Sequence, residues 1–305
     1  MVKRPSDNPL SCAPCHAGIA ADYAKSLHFT SAGQRHGVIP RFSAKEVALF
    51  DKKVFEQSCR SCHASCGSCH VKSPPVMGIS LGLIKGHAFV KKDEGKTCAF
   101  CHGGRVYPEY TGEYSGVTDV HYQKGMMCVD CHTKTEMHGD GRRYLTKQDV
   151  RQRPTCTTCH KDISSGKKLR VSVAHEEHRG KVSCYGCHAA GQYRNCSDCH
   201  GGEAKASPGF ILGKNPRNTK EITTLRLIPT VRDTFAKAGI VQERYDRVPN
   251  YWNTPAHTIR KRTDRTQSCD ACHTEKKYFL TVEGLPKDGS RANRGLIHAP
   301  GPITK

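Results

Sequence analysis

The chain is poor in the residues that usually build a core or a membrane anchor. It has one tryptophan, nine phenylalanines and 36% hydrophobic residues in a length of 305. No stretch approaches the roughly 18 consecutive apolar residues of a membrane-spanning helix, so no transmembrane segment is predicted. Acidic residues are also scarce: the chain has 28 of them against 48 lysines and arginines. Its formal net charge is therefore +20. Apolar side chains alone therefore supply little buried surface.

No cysteine lies outside one repeated pattern, because all 18 fall in copies of Cys-x-x-Cys-His. The copies are Cys12, Cys15 and His16; Cys59, Cys62 and His63; Cys66, Cys69 and His70; Cys98, Cys101 and His102; Cys128, Cys131 and His132; Cys156, Cys159 and His160; Cys184, Cys187 and His188; Cys196, Cys199 and His200; and Cys269, Cys272 and His273. Two thiols at this spacing bond to one haem edge, and the next imidazole meets the iron. The pattern predicts nine covalently attached haem c groups, with each motif histidine as the proximal ligand.

Two other uses of paired cysteines compete with haem attachment. Zinc accepts Cys-x-x-Cys pairs, but it takes four ligands from paired half-sites and does not require histidine after every second cysteine. A disulfide framework does not repeat one five-residue pattern throughout a chain without leaving a stray cysteine. Both interpretations are much weaker than haem attachment.

Histidine gives a second matched count, because the chain has 18 and the motifs use half of them. A haem iron has two axial positions, so the spare imidazoles predict six-coordinate irons with two histidines each. The candidate distal ligands are His28, His36, His87, His121, His138, His175, His178, His257 and His298. One or two of them are expected to be bystanders. Methionine is the competing ligand, but Met126 and Met127 beside the Cys128 motif are interpreted as apolar filler.

The pairing of distal histidines with haems stays open from sequence alone. A loop of six to a dozen residues is able to carry a ligand over its own haem or over a neighbouring one. His298 in the tail is a candidate ligand for the last haem, or for a haem of another subunit. The short spacing from Cys59 to Cys66, and from Cys184 to Cys196, predicts two pairs of neighbouring haems.

The predicted fold class has few secondary structures: short helices and loops wrapped around a closely packed chain of nine covalently bound haems. The sequence predicts a helix over residues 43–58 with apolar Phe50 and Phe55, and a shorter one over 14–24. Region 1–200 holds eight haem sites, 201–268 is a haem-free strap or insertion that delivers His257, and 269–305 holds the ninth site and a tail. We expect one continuous haem-nucleated domain, with no room for an ordinary hydrophobic core.

The positive charge is attributed to the haems themselves. Two propionates on each of nine haems add about −18 and the nine ferric haem cores add about +9, so the net charge of +20 becomes roughly +11 in the oxidised protein and roughly +2 in the reduced one. Many basic residues are therefore expected to neutralise propionates. No nucleic-acid partner is predicted, because the basic residues are spread evenly and no binding motif accompanies them. Haem attachment to thiols occurs outside the cytoplasm, so we expect an exported protein, periplasmic, extracellular or at the cell surface. Residues 1–10 show no signal peptide.

A resemblance to a known family rests on these motifs and on four further stretches. These are the run from Cys59 to His70, Asp119-Val-His121, Glu136-Met-His138 and Pro249-Asn-Tyr-Trp with Pro255-Ala-His257. Together they resemble the multihaem c-type cytochromes of metal- and sulfur-respiring prokaryotes, including wire-forming members. The resemblance implies electron transfer by periplasmic shuttles, porin conduits or extracellular cytochrome filaments. Its partners would be redox proteins or extracellular electron acceptors, and further copies of the chain in a filament.

Three classes of function follow from the sequence. Electron transfer along nine bis-histidine haems is favoured, either in a polymeric filament or as a monomeric shuttle, and no catalytic residue is predicted. The alternative is a multihaem oxidoreductase of nitrite, hydroxylamine or a sulfur oxyanion, which needs one five-coordinate iron with acid or base groups above it. A haem store is the weakest interpretation, because covalent attachment prevents release.

Overall fold

The computed structural model describes residues 7–59, 63–72, 75–76, 79–80, 86–89, 94–165, 173–195 and 209–303. Within them the chain forms short helices, turns and small sheets, which confirms the expectation of short helices and loops. The eighth haem motif, 196–200, and residues 60–62 of the second lie outside these ranges. No helix in the described part of the chain is long and apolar enough to cross a membrane.

The helices are mostly one or two turns long. They are α1 (Ala13–Tyr23), α2 (Leu27–Thr30), α3 (Ala32–Val38), α4 (Ala44–Phe50), α5 (Cys66–His70), α6 (Glu94–His102), α7 (Val106–Thr111), α8 (Val120–Gln123), α9 (Cys128–Cys131), α10 (Lys134–His138), α11 (Cys156–Cys159), α12 (Lys161–Ser165), α13 (Val173–His178), α14 (Cys184–His188), α15 (Asp264–Gln267) and α16 (Asp270–His273). Such short helices have little stability of their own. They depend on what packs against them.

The strands form three small antiparallel sheets. These pair β1 (Val71–Lys72) with β4 (Gly86–His87), β2 (Pro75–Val76) with β3 (Ile79–Ser80), and β5 (Ile211–Asn215) with β6 (Asn218–Leu227) and β7 (Tyr251–Asn253). In the third sheet Leu225 of β6 lies opposite Ile211 on one side and Asn253 on the other. Only this sheet, among those of the described residues, has strands long enough to contribute a packed face.

The chain divides into two compact units. Unit 1 comprises residues 1–40, 44–101 and 127–154, and unit 2 comprises 41–43, 102–126 and 155–305. The partition of the chain by haem content, into 1–200, 201–268 and 269–305, stays a prediction.

Both sequence-predicted helices of unit 1 are present. α1 covers Ala13–Tyr23 with a non-helical kink at His16, and α4 runs into a π-helical turn over Asp51–Phe55. The apolar positions of this second helix behave as expected, because Phe50 and Phe55 are 1% and 6% exposed. The helical pattern in the sequence was therefore a reliable guide here.

Unit 2 contains a protein core that the sequence did not predict. Leu225, Tyr251, Leu280 and Leu296 are all buried and in contact. Gly213 in β5 permits this packing, because a Cβ there would lie 2.6 Å from Leu225 Cδ1 and 2.7 Å from the Leu296 carbonyl oxygen. The expectation that no ordinary core fits was wrong for this region, because the sheet and the C-terminal segment bury apolar side chains against one another.

We predict that this core stabilises the unit measurably. Leu225 is fully buried, so Leu225→Ala is expected to lower the free energy of unfolding by about 2–5 kcal/mol. Denaturant unfolding, followed by tyrosine fluorescence, measures it. Val282→Ala is the matched control, because Val282 is 56% exposed and its loss should change stability by about 0.5 kcal/mol or less. Equal effects of the two substitutions would contradict the assignment of this core.

Candidate haem sites

Most of the described attachment motifs lie on a single helical turn. In α5, α9, α11 and α14 the first cysteine is the first helical residue, and the second cysteine follows three positions later. Residues at this spacing share one helix face. Both thiols of a motif are thereby presented on the same side, as attachment to one haem edge requires.

The second cysteines of four other motifs differ in where they lie. Cys15 is near the start of α1 and Cys101 is near the end of α6, so these two thiols lie on longer helices than the single turns above. Both are exposed, which leaves their sulfur atoms accessible for attachment to a haem edge. Cys62 and Cys199 lie outside the described residues. Haem attachment at these four cysteines, as at the others, stays a prediction from the motif.

Polar residues inside the motifs hold three of the single turns. The side chain just before the second cysteine accepts a hydrogen bond from the amide just before the first cysteine. Ser68 Oγ accepts from Ser65 at 3.1 Å, Asp130 Oδ2 from Met127 at 2.7 Å and Thr158 Oγ1 from Thr155 at 3.3 Å. This capping fixes where the turn begins. Sequence reasoning missed it, although a serine, threonine or aspartate before the second cysteine is a readable signal.

Five motif histidines each face one spare histidine. The distances between ring centroids are 5.9 Å for His16 and His87, 6.0 Å for His70 and His138, 6.1 Å for His121 and His160, 6.0 Å for His175 and His188, and 5.9 Å for His178 and His273. Every pair joins one predicted proximal ligand to one predicted distal ligand. The first two pairs lie in unit 1 and the other three in unit 2.

The constant separation fits two imidazoles that share one metal atom. Interplanar angles range from 18° for His175 and His188 to 72° for His16 and His87, yet the separation hardly changes. Rings in direct contact would come closer when stacked than when perpendicular. A ligating nitrogen lies about 2.0–2.1 Å from a first-row metal and about 1.1 Å from its ring centre, which places two opposed centroids about 6 Å apart. The donor set and its spacing therefore fit haem iron.

The helix α13 takes part in two of these pairs. His175 faces His188, and His178, one turn further along, faces His273. Side chains three residues apart on a helix lie about 5–6 Å apart at Cβ. The haem sites at Cys184 and Cys269 are thus neighbours in space, although 85 residues separate them in sequence. The structure places His178 opposite His273, the position for which the sequence had offered His298.

His28 lies near two other histidines of unit 1. Burial lowers the pKa of His28, the charge of Glu136 raises it, and the charges of His132 and His138 lower it further. Charges act in this way over short distances. His28 lies in α2, so this helix lies near His132 of the fifth motif and near His138.

The spare histidine His257 lies on a buried ion pair. Its backbone amide donates to Glu109 Oε2 at 3.0 Å, and its Nδ1 lies 4.0 Å from the same oxygen. Arg105 Nε lies 2.8 Å from Glu109 Oε1 and Arg105 Nη2 donates to the Pro255 carbonyl at 2.9 Å. Arg105 is three residues after His102, so this network brings His257 to the end of the fourth motif.

Each unit contains as many spare histidines as motif histidines. The ranges of unit 1 contain four motif histidines and four spare ones, all described, and those of unit 2 contain five of each, with His200 outside the described residues. In unit 1 His36 and His63 are left after the contacts above. In unit 2 His298 is left, and its ring lies 5.7 Å from Phe279. The tally of spare ligands thus holds within each unit as well as for the whole chain.

Thiols of different motifs also meet. Side-chain hydrogen bonding with Cys156 lowers the pKa of Cys184 to about 6 and raises that of Cys156. Burial raises the pKa of Cys66 to about 11, with Cys12 adding to the shift through its charge and a hydrogen bond. The first and third attachment points are neighbours in unit 1, and the sixth and seventh are neighbours in unit 2.

In six of the described histidines that are predicted ligands, Nδ1 lies within hydrogen-bond distance of an oxygen atom. Nδ1 of His121 lies 2.9 Å from Asp119 Oδ1, and Nδ1 of His132 lies 2.9 Å from Glu136 Oε2. Backbone carbonyl oxygens serve the other four: Lys134 for His138 at 2.9 Å, Ala174 for His178 at 2.7 Å, Arg260 for His188 at 3.0 Å and Gly301 for His273 at 2.7 Å. An Nδ1–H that donates to an oxygen leaves Nε2 for a metal. Within the described ranges, no group of three or more His, Cys, Asp or Glu would hold a bare metal ion.

Comparison with known proteins gives one match. Residues 120–201 match the family model described as Cytochrome c3, a span that includes the motifs at Cys128, Cys156, Cys184 and Cys196. No curated protein and no solved structure matches the chain. Proteins of the cytochrome c3 family are typically periplasmic or extracellular. The matched span supports a multihaem c-type cytochrome, with covalently bound haem c and a role in electron transfer.

Proposed function

We propose that the chain carries electrons through nine bis-histidine c-type haems. The observation that carries this proposal is the set of five facing histidine pairs with ring centroids 5.9–6.1 Å apart. A c-type haem held between two imidazoles takes up and releases single electrons at an iron with no vacant position. The side chains of this protein attach that group, close both of its axial positions and hold it near the next one.

We assign the ligand sets from these contacts and from the count of histidines in each unit. The five facing pairs would serve the haems at Cys12, Cys66, Cys156, Cys184 and Cys269. We assign His28 to His132, because His138, the other histidine whose charge acts on His28, already faces His70, and His257 to His102 from the Arg105 and Glu109 network. By count, His36 is left for His63 in unit 1. His298 is the spare histidine left in unit 2, and the haem that it would serve stays open.

Short steps between haem sites support a relay over a store or a set of separate centres. α13 joins the sites at Cys184 and Cys269, and the meeting thiols join Cys156 to Cys184 and Cys12 to Cys66. Unit 2 therefore contains a run of three neighbouring sites, at Cys156, Cys184 and Cys269. Electron transfer along such a run needs no substrate pocket.

The spin state of the iron tests the proposal directly. Purified protein should contain nine irons per chain by metal analysis, and all should be low-spin in electron paramagnetic resonance at neutral pH. Carbon monoxide should not change the spectrum of the reduced protein. A high-spin iron that binds carbon monoxide would instead favour the alternative, an oxidoreductase of nitrite, hydroxylamine or a sulfur oxyanion.

The location and the assembly state form the finer part of the proposal. Export follows from haem attachment outside the cytoplasm, so the protein would work in extracellular electron transfer with redox proteins or external acceptors as partners. Assembly into a cytochrome filament would lengthen the relay. Mass by light scattering and negative-stain images of the purified protein separate a filament from a monomeric shuttle.

A further inference from the structure

Two carboxylates distinguish the haem ligands from one another. Asp119 is 1% exposed, and its Oδ1 lies 2.9 Å from His121 Nδ1. The Glu136 side chain is 14% exposed, and its Oε2 lies 2.9 Å from His132 Nδ1. Among the described residues neither carboxylate forms a salt bridge with a lysine or an arginine. Within the described ranges, each carboxylate is therefore paired with its imidazole and not with a lysine or an arginine.

Both carboxylates lie at the start of a short helix. Asp119 caps α8, because its Oδ1 accepts the His121 amide at 2.7 Å and its Oδ2 accepts the Ile259 amide at 2.6 Å. These two bonds hold the Asp119 carboxylate in place. Glu136 lies in the first turn of α10, four residues after His132, a spacing at which side chains meet.

A carboxylate and a carbonyl differ in what they do to the imidazole. Hydrogen bonds to a charged acceptor are roughly twice as strong as those to a neutral one, and a carboxylate partner raises the basicity of a metal-ligating imidazole. A more basic ligand stabilises ferric over ferrous iron. The haem at that ligand is then harder to reduce.

We propose that Asp119 and Glu136 are positioning residues that make the haems at Cys156 and Cys128 harder to reduce than the haem at Cys269. This inference rests on the proposed function. His132 belongs to the Cys128 site, and His121 faces His160 of the Cys156 site. The two sites are consecutive in the sequence, and one lies in each unit. The Cys269 site is the contrast, because both His273 and His178 donate to backbone carbonyls.

The test compares single substitutions in the full haem-loaded chain. Asp119→Asn and Glu136→Gln should each make one haem easier to reduce, changing its reduction equilibrium constant about tenfold, which corresponds to about 59 mV for one electron. Potentiometric titration followed by electron paramagnetic resonance measures this shift, and the g-values of the same haem should move with it. A merely structural role would leave the g-values unchanged.

Asp140→Asn is the control, because this carboxylate follows α10 in the same unit but accepts hydrogen bonds from Gln152 Nε2 and Tyr144 Oη and not from a histidine. It removes one negative charge from the same part of the chain. Equal shifts from Glu136→Gln and Asp140→Asn, or no shift from Glu136→Gln, would overturn the inference. If Asp119→Asn protein does not accumulate, the partly exposed Glu136 decides the matter alone.

Failure of the proposed function looks different. If the unsubstituted protein has high-spin irons, both the relay and the tuning by these carboxylates are overturned. If all irons are low-spin but Asp119→Asn and Glu136→Gln leave the reduction potentials unchanged, only the inference about these two carboxylates is overturned.

Discussion

His178→Ala is expected to open one haem iron to external ligands. The ring centroids of His178 and His273 lie 5.9 Å apart. Loss of the His178 side chain would therefore remove one axial imidazole and leave that of His273 in place. One iron should become high-spin and bind carbon monoxide after reduction, whereas the unsubstituted protein should bind none. His175→Ala should do the same at the Cys184 site, and the double variant should open two irons.

The control for this experiment lies on the same helix. Glu177→Ala changes an exposed residue of α13 between the two histidines and should leave every iron low-spin. Electron paramagnetic resonance with spin counting gives the number of open irons in each variant. Two open irons in either single variant would mean that α13 acts as one unit. No open iron in the double variant would refute the pairing.

Glu109→Ala is expected to destabilise unit 2 by about 3–5 kcal/mol, the usual cost of leaving a buried charge without its partner. The Glu109 side chain is fully buried and that of Arg105 is 9% exposed. Burial raises the pKa of Glu109, and the charge of Arg105 lowers it again. Removing the carboxylate leaves the guanidinium buried and deprives the His257 amide of its acceptor.

Denaturant unfolding of the haem-loaded protein measures this loss. Glu109→Gln keeps an oxygen for the His257 amide, so it should lose less stability than the alanine variant. Glu113→Ala is the control, because Glu113 is an exposed glutamate just after α7. If Glu109→Ala were no worse than Glu113→Ala, the buried ion pair would not support this part of unit 2. High-spin iron in Glu109→Ala protein would in addition support His257 as a ligand.

Much of the local structure was predictable from the sequence. The helix over 43–58 followed from apolar spacing and capping residues, and both it and the shorter helix predicted over 14–24 are present. The core around Leu225 was not predicted, because the haem-free region 201–268 was interpreted as a strap or an insertion and the expectation of no core was drawn from the whole chain. The composition of the whole chain averages over such a difference.

The candidate haem sites were also predictable only in part from the sequence. Covalent attachment and the identity of the proximal ligands could be predicted from a five-residue pattern, since one helical turn is enough to present both thiols and the imidazole. The choice of distal ligand does not, because a loop reaches several haems with similar ease. His121 illustrates this, because it precedes the Cys128 motif in sequence yet faces His160.

The sequence by itself predicted which cofactor this chain holds, from nine copies of one motif, and showed that it has a spare histidine for each motif histidine. These are local or additive properties, readable from spacing and counts. Only the tertiary structure decided which histidine faces which, that α13 joins two distant motifs, and that carboxylates back His121 and His132 while carbonyls back other ligands. Those facts depend on contacts between residues far apart in the chain, and spacing along the chain carries no information about them.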